Sequence, residues 1–294
     1  MNTSDTPAKV VVIVGASSGI GREIALRYGR GGACLVLASR STDSLEVVAG
    51  ECRAAGAAEV MVQGTDISDA DQVQELFDVA VARFGRVDVA AQCAAITAFG
   101  RFEDLPVEVF DVVVRTNLLG AANVARSALS HFQATGAGHL VLVGSLLGVT
   151  AVPYQSAYVV SKFAVSGLVR ALRQENRHLP GVRVHGVYPG PMDTPVYGTA
   201  GNYYGHTPRV PPTADAPATI AAAIVRATER RRSSERQVGW VNRPAIMVYR
   251  MFPSIFDALI GPLIRSASFS SDPIESTTGN VFESPADHLA HSAG

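Results

Sequence analysis

The stretch VVVIVGASSGIG, residues 10–21, decides the fold. Val10 to Val14 is a continuous apolar run, and a strand that must bury both faces reads this way, whereas a half-solvated strand alternates. It runs into Gly15-Ala16-Ser17-Ser18-Gly19-Ile20-Gly21, and helical spacing follows from Gly19 to Arg30. Glycines at such a turn let the backbone bend tightly and approach a pyrophosphate, whose charge the free N–H groups at the positive end of the helix receive. Three residues separate the first two glycines, so the turn departs from the GxGxxG form while keeping its strand-turn-helix setting.

The same texture continues outward. Cys34 to Ala38, Val60 to Val62, Val87 to Ala91, Leu140 to Val143 and Val182 to Val187 predict five further buried strands. Helices are predicted over Asp43 to Ala55, Asp69 to Phe84, Pro106 to Gln133 and Ser156 to His178. Strands alternating with crossover helices predict an α/β fold: a single doubly wound Rossmann-type parallel sheet flanked by helices. Residues 1–8 read as a flexible N-terminus and 9–236 as the dinucleotide-binding domain. Pro189-Gly190-Pro191 opens a Gly-, Pro- and Tyr-rich loop that runs to Pro212 and is read as the substrate loop. A helix over Thr213 to Arg231 follows. Residues 237–294 form a C-terminal extension: a last strand over Gln237 to Trp240, an apolar helical segment from Val241 to Ile264, and a polar tail.

Composition excludes several classes. With 294 residues, 47% of them hydrophobic, the chain can bury a large core. Twenty-five Lys and Arg against 26 Asp and Glu leave a net charge of −1, without the electrostatic footprint of a nucleic-acid binder. Three cysteines without CxxC spacing and seven histidines without an HxxxH pair predict neither a disulfide framework nor a metal site. The polar N-terminus reads as neither a signal peptide nor a membrane span, so a cytoplasmic protein is expected. The charged fraction, 17%, is low and points to extra apolar surface, part of it in Val241 to Ile264.

Three further positions bear on chemistry. The second strand ends in Ser39 and Arg40, where a carboxylate would bind an adenosine ribose; a guanidinium there suits a 2′-phosphate and, with Ser17 or Ser18, favours NADP(H) over NAD(H). Asp66, with Ile67, follows the third strand as an adenine contact or as a plain helix-start residue. Tyr158 and Lys162 share a helix face one turn apart, and Ser145 ends the fifth strand on the ligand-binding edge of the sheet. A cation beside the phenol is expected to lower its pKa and make Tyr158 a general acid/base, while the Ser145 hydroxyl donates to a substrate carbonyl.

These motifs together resemble the classical short-chain dehydrogenase/reductase (SDR) family. The likeness covers most of residues 9–195 and includes the glycine turn, Asp66-Ile67, Asn117 in Thr116-Asn117-Leu118, Ser145, Tyr158 to Lys162, and Pro189-Gly190 with Thr194. It implies a catalytic tetrad in which Tyr158 exchanges a proton with the substrate oxygen, Ser145 holds that oxygen and Lys162 binds the nicotinamide ribose. Asn117 would anchor a relay water, and Pro189, Gly190 and Thr194 would border the nicotinamide. A hydride would pass between the nicotinamide and a carbonyl/alcohol pair, in a homo-dimer or homo-tetramer.

Val14 and Gln92-Cys93-Ala94-Ala95 depart from the family, which usually has Thr and Asn-Asn-Ala-Gly there. Cys93, Ala94 and Ala95 are still expected at the cofactor, with Val14 and Cys93 packing together in place of a polar contact. Tyr197, Tyr203 and Tyr204 either line an apolar substrate pocket or pin the loop. In the extension, Ile255, Phe256, Leu259, Ile260, Leu263 and Ile264 fall on one helical side, expected against this subunit or a partner; a lid or a peripheral membrane contact is less favoured, because Pro244, Pro253 and Pro262 break the run. Two other functional readings are open: a dinucleotide sensor or scaffold without turnover, and an NAD-linked alcohol dehydrogenase.

Overall fold

The computed structural model describes residues 7–284. The expected flexible N-terminus lies, but for Pro7 and Ala8, outside the described residues, as does the end of the polar tail. The chain forms β1 (Val10–Val14), α1 (Gly19–Arg30), β2 (Cys34–Ser39), α2 (Thr42–Ala55), β3 (Glu59–Gly64), α3 (Ala70–Phe84), β4 (Val89–Gln92) and a short β5 (Ala98–Phe99). Next come α4 (Val107–Val114), α5 (Gly120–Thr135), β6 (Gly138–Val143), α6 (Ser156–Glu175) and β7 (Val182–Pro189). The remainder is α7 (Val196–Thr199), β8 (Gly201–Asn202), β9 (His206–Pro208), α8 (Pro217–Thr228), β10 (Ser234–Val238), α9 (Asn242–Met251), α10 (Pro253–Ser268) and β11 (Phe269–Pro273).

Seven strands form one parallel sheet in the order β3-β2-β1-β4-β6-β7-β10. The order reverses between β1 and β4, which opens a crevice at the carboxyl ends of the strands, where doubly wound folds bind ligands. Alternate residues of β1 serve two cores, which is why the strand is apolar throughout. Val11 and Ile13 pack with Ile24, Leu45 and Ile224 on one face. Val12 and Val14 pack with Phe77, Val124 and Phe132 on the other.

Several boundaries differ from the sequence reading. The helix expected from Pro106 to Gln133 is interrupted by a π-turn over Arg115–Leu119. Asn117 sits in that turn and is tied to the main chain of Ile96, so a tertiary hydrogen bond overrides local helical geometry. The helix expected from Thr213 begins at Pro217, a first-turn position that suits a residue without an N–H. The last strand starts three residues before its expected position, at Ser234, because β10 is a polar edge strand without an apolar run.

The loop after β7 is tied down at two points. β8 pairs with β5 in parallel, and β9 pairs with β11 antiparallel. The extension therefore folds back on the loop after β7. Of its expected apolar side, Phe256 is buried against Tyr249 and Ile264 packs on Phe99, Ala200 and Phe269. Ile255, Leu259 and Leu263 instead face outward at 54%, 63% and 57% exposure, so the side divides into a packed half and an open half. No described helix is long and apolar enough to cross a membrane.

Candidate active site

The crevice is a cavity of about 380 Å³ at the carboxyl ends of the central strands. The glycine turn forms one wall. Gly15 has φ +81°, and a Cβ there would come within 2.6 Å of Ala94 N; a Cβ on Gly21 would come within 2.0 Å of Gly15 O. The turn thus needs glycine both for its left-handed backbone and for the close approach of strand and helix. Ser18, the residue before α1, makes no side-chain cap hydrogen bond, and the first turn carries no acidic residue. The first-turn N–H groups are therefore positioned for an anion, which is the chemistry a pyrophosphate requires.

Of the predicted residues, Gly15, Ser17, Ser18, Gly19, Ile20, Gly21, Ser39, Arg40, Asp66, Ile67, Cys93, Ala94, Ala95, Tyr158, Lys162 and Thr194 line this cavity. Asn117, Ser145, Pro189 and Gly190 are not among its lining residues. Pro189 ends β7, and Gly190 donates its N–H to Val238 O at 2.9 Å and abuts the buried Asn242, so both belong to the junction of β7 and β10. Asp66 accepts the Ser68 N–H on Oδ1 at 2.9 Å, while the helix cap falls to Asp69.

At the far end, Tyr158 and Lys162 project from the first turns of α6 and meet Ser145 at the end of β6. Ser145 Oγ accepts the Leu147 N–H at 3.1 Å and is hydrogen-bonded to the Tyr158 phenol. Lys162 is buried, its Nζ donating to Val143 O at 3.0 Å and standing 5.5 Å from the centroid of the Tyr158 ring. Asn117 spends its side chain inward: Oδ1 accepts the Ile96 N–H at 2.9 Å, and Nδ2 donates to Ile96 O at 2.9 Å and Ser161 Oγ at 3.0 Å. Ser161 in turn donates to Tyr158 O at 2.7 Å, tying the π-turn to α6.

The electrostatics correct one expectation. Burial holds the Tyr158 phenol above its ordinary value, opposed only by the Ser145 hydrogen bond; lowering by Lys162 is absent. The same burial takes Lys162 down to about 8, because an apolar setting disfavours whichever form is charged. Cys93 is pushed up to about 12 by burial and stays a thiol. Its expected packing with Val14 is also overturned. Val14 belongs to the core with Phe77, whereas Cys93 packs against the core with Ile24, on the opposite sheet face. Their link is the Cys93 N–H donating to Val14 O at 2.9 Å. Gln92, not Cys93, lies across from Val14 and turns its amide to Ala94 O at 2.9 Å.

The three loop tyrosines divide. Tyr197 stands near Tyr158, whose charge, after burial, helps hold the Tyr197 phenol above its ordinary value. Tyr203 packs beside Leu105 and Val109, and Tyr204 lies 4.4 Å from Phe269, so these two pin the loop. Met192, Val196, Thr199, Asn280 and Ser284 also line the cavity and were not foreseen. Asn280 and Ser284 come from the last described residues of the chain, where the only trace in the sequence is the turn-forming pair Gly279-Asn280.

The family model described as short chain dehydrogenase matches residues 9–203. An uncharacterized oxidoreductase of Bacillus subtilis is 30% identical over 273 residues, covering 90% of this chain and 75% of that protein. A sepiapterin reductase of Chlorobaculum tepidum is 35% identical over 196 residues, covering 64% of this chain and 80% of that protein. Among solved structures, an alcohol dehydrogenase of the archaeon Thermococcus sibiricus, complexed with 5-hydroxy-NADP, superposes with a TM-score of 0.70 at 32% identity, covering 80% of this chain and 98% of that one. The chain belongs to the short-chain dehydrogenase family. It has the family's doubly wound fold and is an oxidoreductase of the class that works with a nicotinamide cofactor.

Proposed function

We propose that the protein is an NADP(H)-dependent reductase or dehydrogenase that acts on a carbonyl/alcohol pair carried by a fairly apolar molecule, and that it works as a cytoplasmic homo-oligomer. The observation that carries this reading is the group made by buried Ser145 and Lys162 with half-buried Tyr158, which with Lys162 lines one end of a cleft whose other wall is an uncapped helix N-terminus. Ser17, Ser18 and the N–H groups of α1 hold the pyrophosphate, Arg40 and Ser39 the adenosine ribose with its 2′-phosphate, and Thr194 and Lys162 the nicotinamide half. When bound, the nicotinamide supplies or accepts the hydride.

The residues then divide the remaining work. Tyr158, above its ordinary pKa and therefore protonated at neutral pH, delivers its proton to the substrate oxygen in the reductive direction. Ser145 donates to the same oxygen as charge develops. The Ser145 hydrogen bond is also what favours the phenolate that proton transfer leaves, while Lys162, its Nζ anchored on Val143 O, serves the nicotinamide ribose. Asn117, its side chain spent on Ile96 and Ser161, positions the catalytic helix, and any water relay falls to its main chain in the π-turn. Tyr197 borders the substrate side.

NADPH oxidation screened over aldehydes, ketones, quinones and steroids, with Tyr158→Phe as the blank, tests the reading. Turnover of one class that Tyr158→Phe loses by about 100-fold or more, with cofactor binding kept, supports it. Function that survives the substitution would instead favour a dinucleotide sensor. The NAD-linked reading has one observation in its favour: Arg40 already donates to main-chain carbonyls. Arg40→Ala separates the two, since the preference for NADPH must weaken if Arg40 reads the phosphate.

A further inference from the structure

Residues 279–284 cross the mouth of the cavity, from the substrate loop to the loop after β2. At the substrate-loop end, Thr277 and Asn202 exchange both main-chain hydrogen bonds at 2.7 and 2.9 Å, and the Asn280 N–H donates to Thr199 O at 2.7 Å. Gly279 has φ +54° and lies so close to Thr199 and Ala200 that a Cβ would fall 2.4 Å from their main-chain atoms. Val281 is fully buried beside Ala98 and Leu105. At the other end, Arg40 Nη2 donates to Asn280 O at 2.7 Å and to Glu283 O at 3.3 Å, and Nη1 to Phe282 O at 3.3 Å and Val281 O at 3.4 Å. One guanidinium thus gathers four successive carbonyls of the crossing segment.

Two features tie this segment to the ligand as well as to the fold. Asn280 and Ser284 line the cavity. Asn280 Oδ1 is a buried acceptor without a hydrogen-bond partner among the described residues, while its Nδ2 donates to Thr199 Oγ1 at 3.3 Å. A ribose hydroxyl is a donor of the kind such an acceptor needs, and the loop after β2 presents Ser39 and Arg40 where a carboxylate would otherwise accept it.

We propose that residues 279–284 are a strap that reads the adenosine ribose of the cofactor: latched on Arg40, it completes the site for an unphosphorylated ribose through Asn280, and a 2′-phosphate unlatches it by taking Arg40 for itself. The competition has a clear sign. A phosphate offers the guanidinium a bidentate partner of opposite charge, whereas the main-chain carbonyls are neutral acceptors, so the phosphate wins the shared group. NADP(H) binding is then coupled to release of the strap: binding and latching weaken each other by the same factor. The proposal rests on the reading of Arg40 as the phosphate-binding residue.

Gly279→Val tests it by unseating the strap from Thr199–Ala200 without touching Arg40. With the competitor removed, NADPH should bind about threefold or more tighter, and NADH, deprived of Asn280, weaker by a similar factor. Loss of affinity for both would mark a structural brace and overturn the proposal, as would no change in either. Hydrogen exchange of the wild-type protein gives a second measurement that needs no variant to fold. NADPH should speed exchange across residues 279–284 and NADH should slow it; equal protection by both refutes the strap. Failure of the underlying reading looks different: Arg40→Ala would leave the NADPH preference unchanged, whereas if only the strap idea fails, Arg40→Ala weakens that preference and Gly279→Val does not move it.

Discussion

Asn117 clasps Ile96 with both ends of its amide, accepting the Ile96 N–H on Oδ1 and donating to the Ile96 carbonyl from Nδ2, each at 2.9 Å. The clasp joins the π-turn in the α4–α5 helix to the chain that leaves β4 beside the cofactor cleft. Asn117→Ala would strand two buried main-chain groups, at roughly 1–3 kcal/mol for each unsatisfied group. The expected result is a melting temperature lower by several degrees, with weakened cofactor binding because Ala94 and Ala95 lose their support. Unchanged melting with lost turnover would show instead that Asn117 acts in the chemistry and not in the scaffold.

Lys162 is expected to be a costly residue that function retains. Burial takes its pKa from 10.5 to about 8, so at neutral pH the folded protein holds a cation in a setting that disfavours it. The folded state binds fewer protons than the unfolded chain between those values; the penalty is complete below pH 8 and fades as pH rises toward 10.5. Lys162→Met should therefore stabilise the protein at pH 7 by roughly 2 kcal/mol, after allowance for the lost bond to Val143 O, while abolishing turnover. Urea midpoints at pH 7 and pH 9.5 check it. The gain should shrink at the higher pH, and a destabilised variant at pH 7 would refute the argument.

Val14 and Cys93 should behave as independent sites. Their side chains enter opposite cores and only a backbone bond joins them. A double-mutant cycle on Val14→Thr and Cys93→Asn is expected to give a coupling below about 0.5 kcal/mol, since neither substitution alters a contact the other makes. A coupling of 1 kcal/mol or more would show that the introduced side chains meet around the sheet edge.

The parts of the fold read correctly from sequence are those where periodicity and burial coincide. β1 and α1 match their predicted bounds, because a doubly buried strand and a glycine turn leave little freedom locally. The π-turn at Asn117 and the start of the polar strand β10 were not legible: the first depends on a hydrogen bond to a residue 21 positions away, and the second is held by the sheet edge and by Arg170 and Arg173 on Glu235. The meeting of Ser145, Tyr158 and Lys162 was legible from fixed short spacings, but its electrostatics were not, since a residue pattern shows charge and does not show depth. The strap lay beyond any local pattern; 240 residues separate Arg40 from Asn280.

The stacked pair His139 and His185 should set the acid limit of the fold. Their rings lie 5.4 Å apart with Nδ1 and Nε2 at 3.1 Å, between β6 and β7, and His185 Nδ1 pairs with Ser234 Oγ at 2.9 Å. Burial, followed for His139 by Arg183 and for His185 by its partner and by Arg173, holds both well below 6.5, His139 at about 4. The unfolded chain, whose histidines titrate near 6.5, therefore binds more protons than the folded one once pH drops below that value. Stability is complete above pH 6.5 and is lost as pH falls toward 4, by on the order of 1 kcal/mol per pH unit for each histidine. Replacing one member, His185→Asn, should roughly halve that slope in denaturant titrations between pH 6.5 and 4.5, whatever its effect on absolute stability. A wild-type profile that is flat over this range would show that the pair is protonated in the fold and would remove the argument.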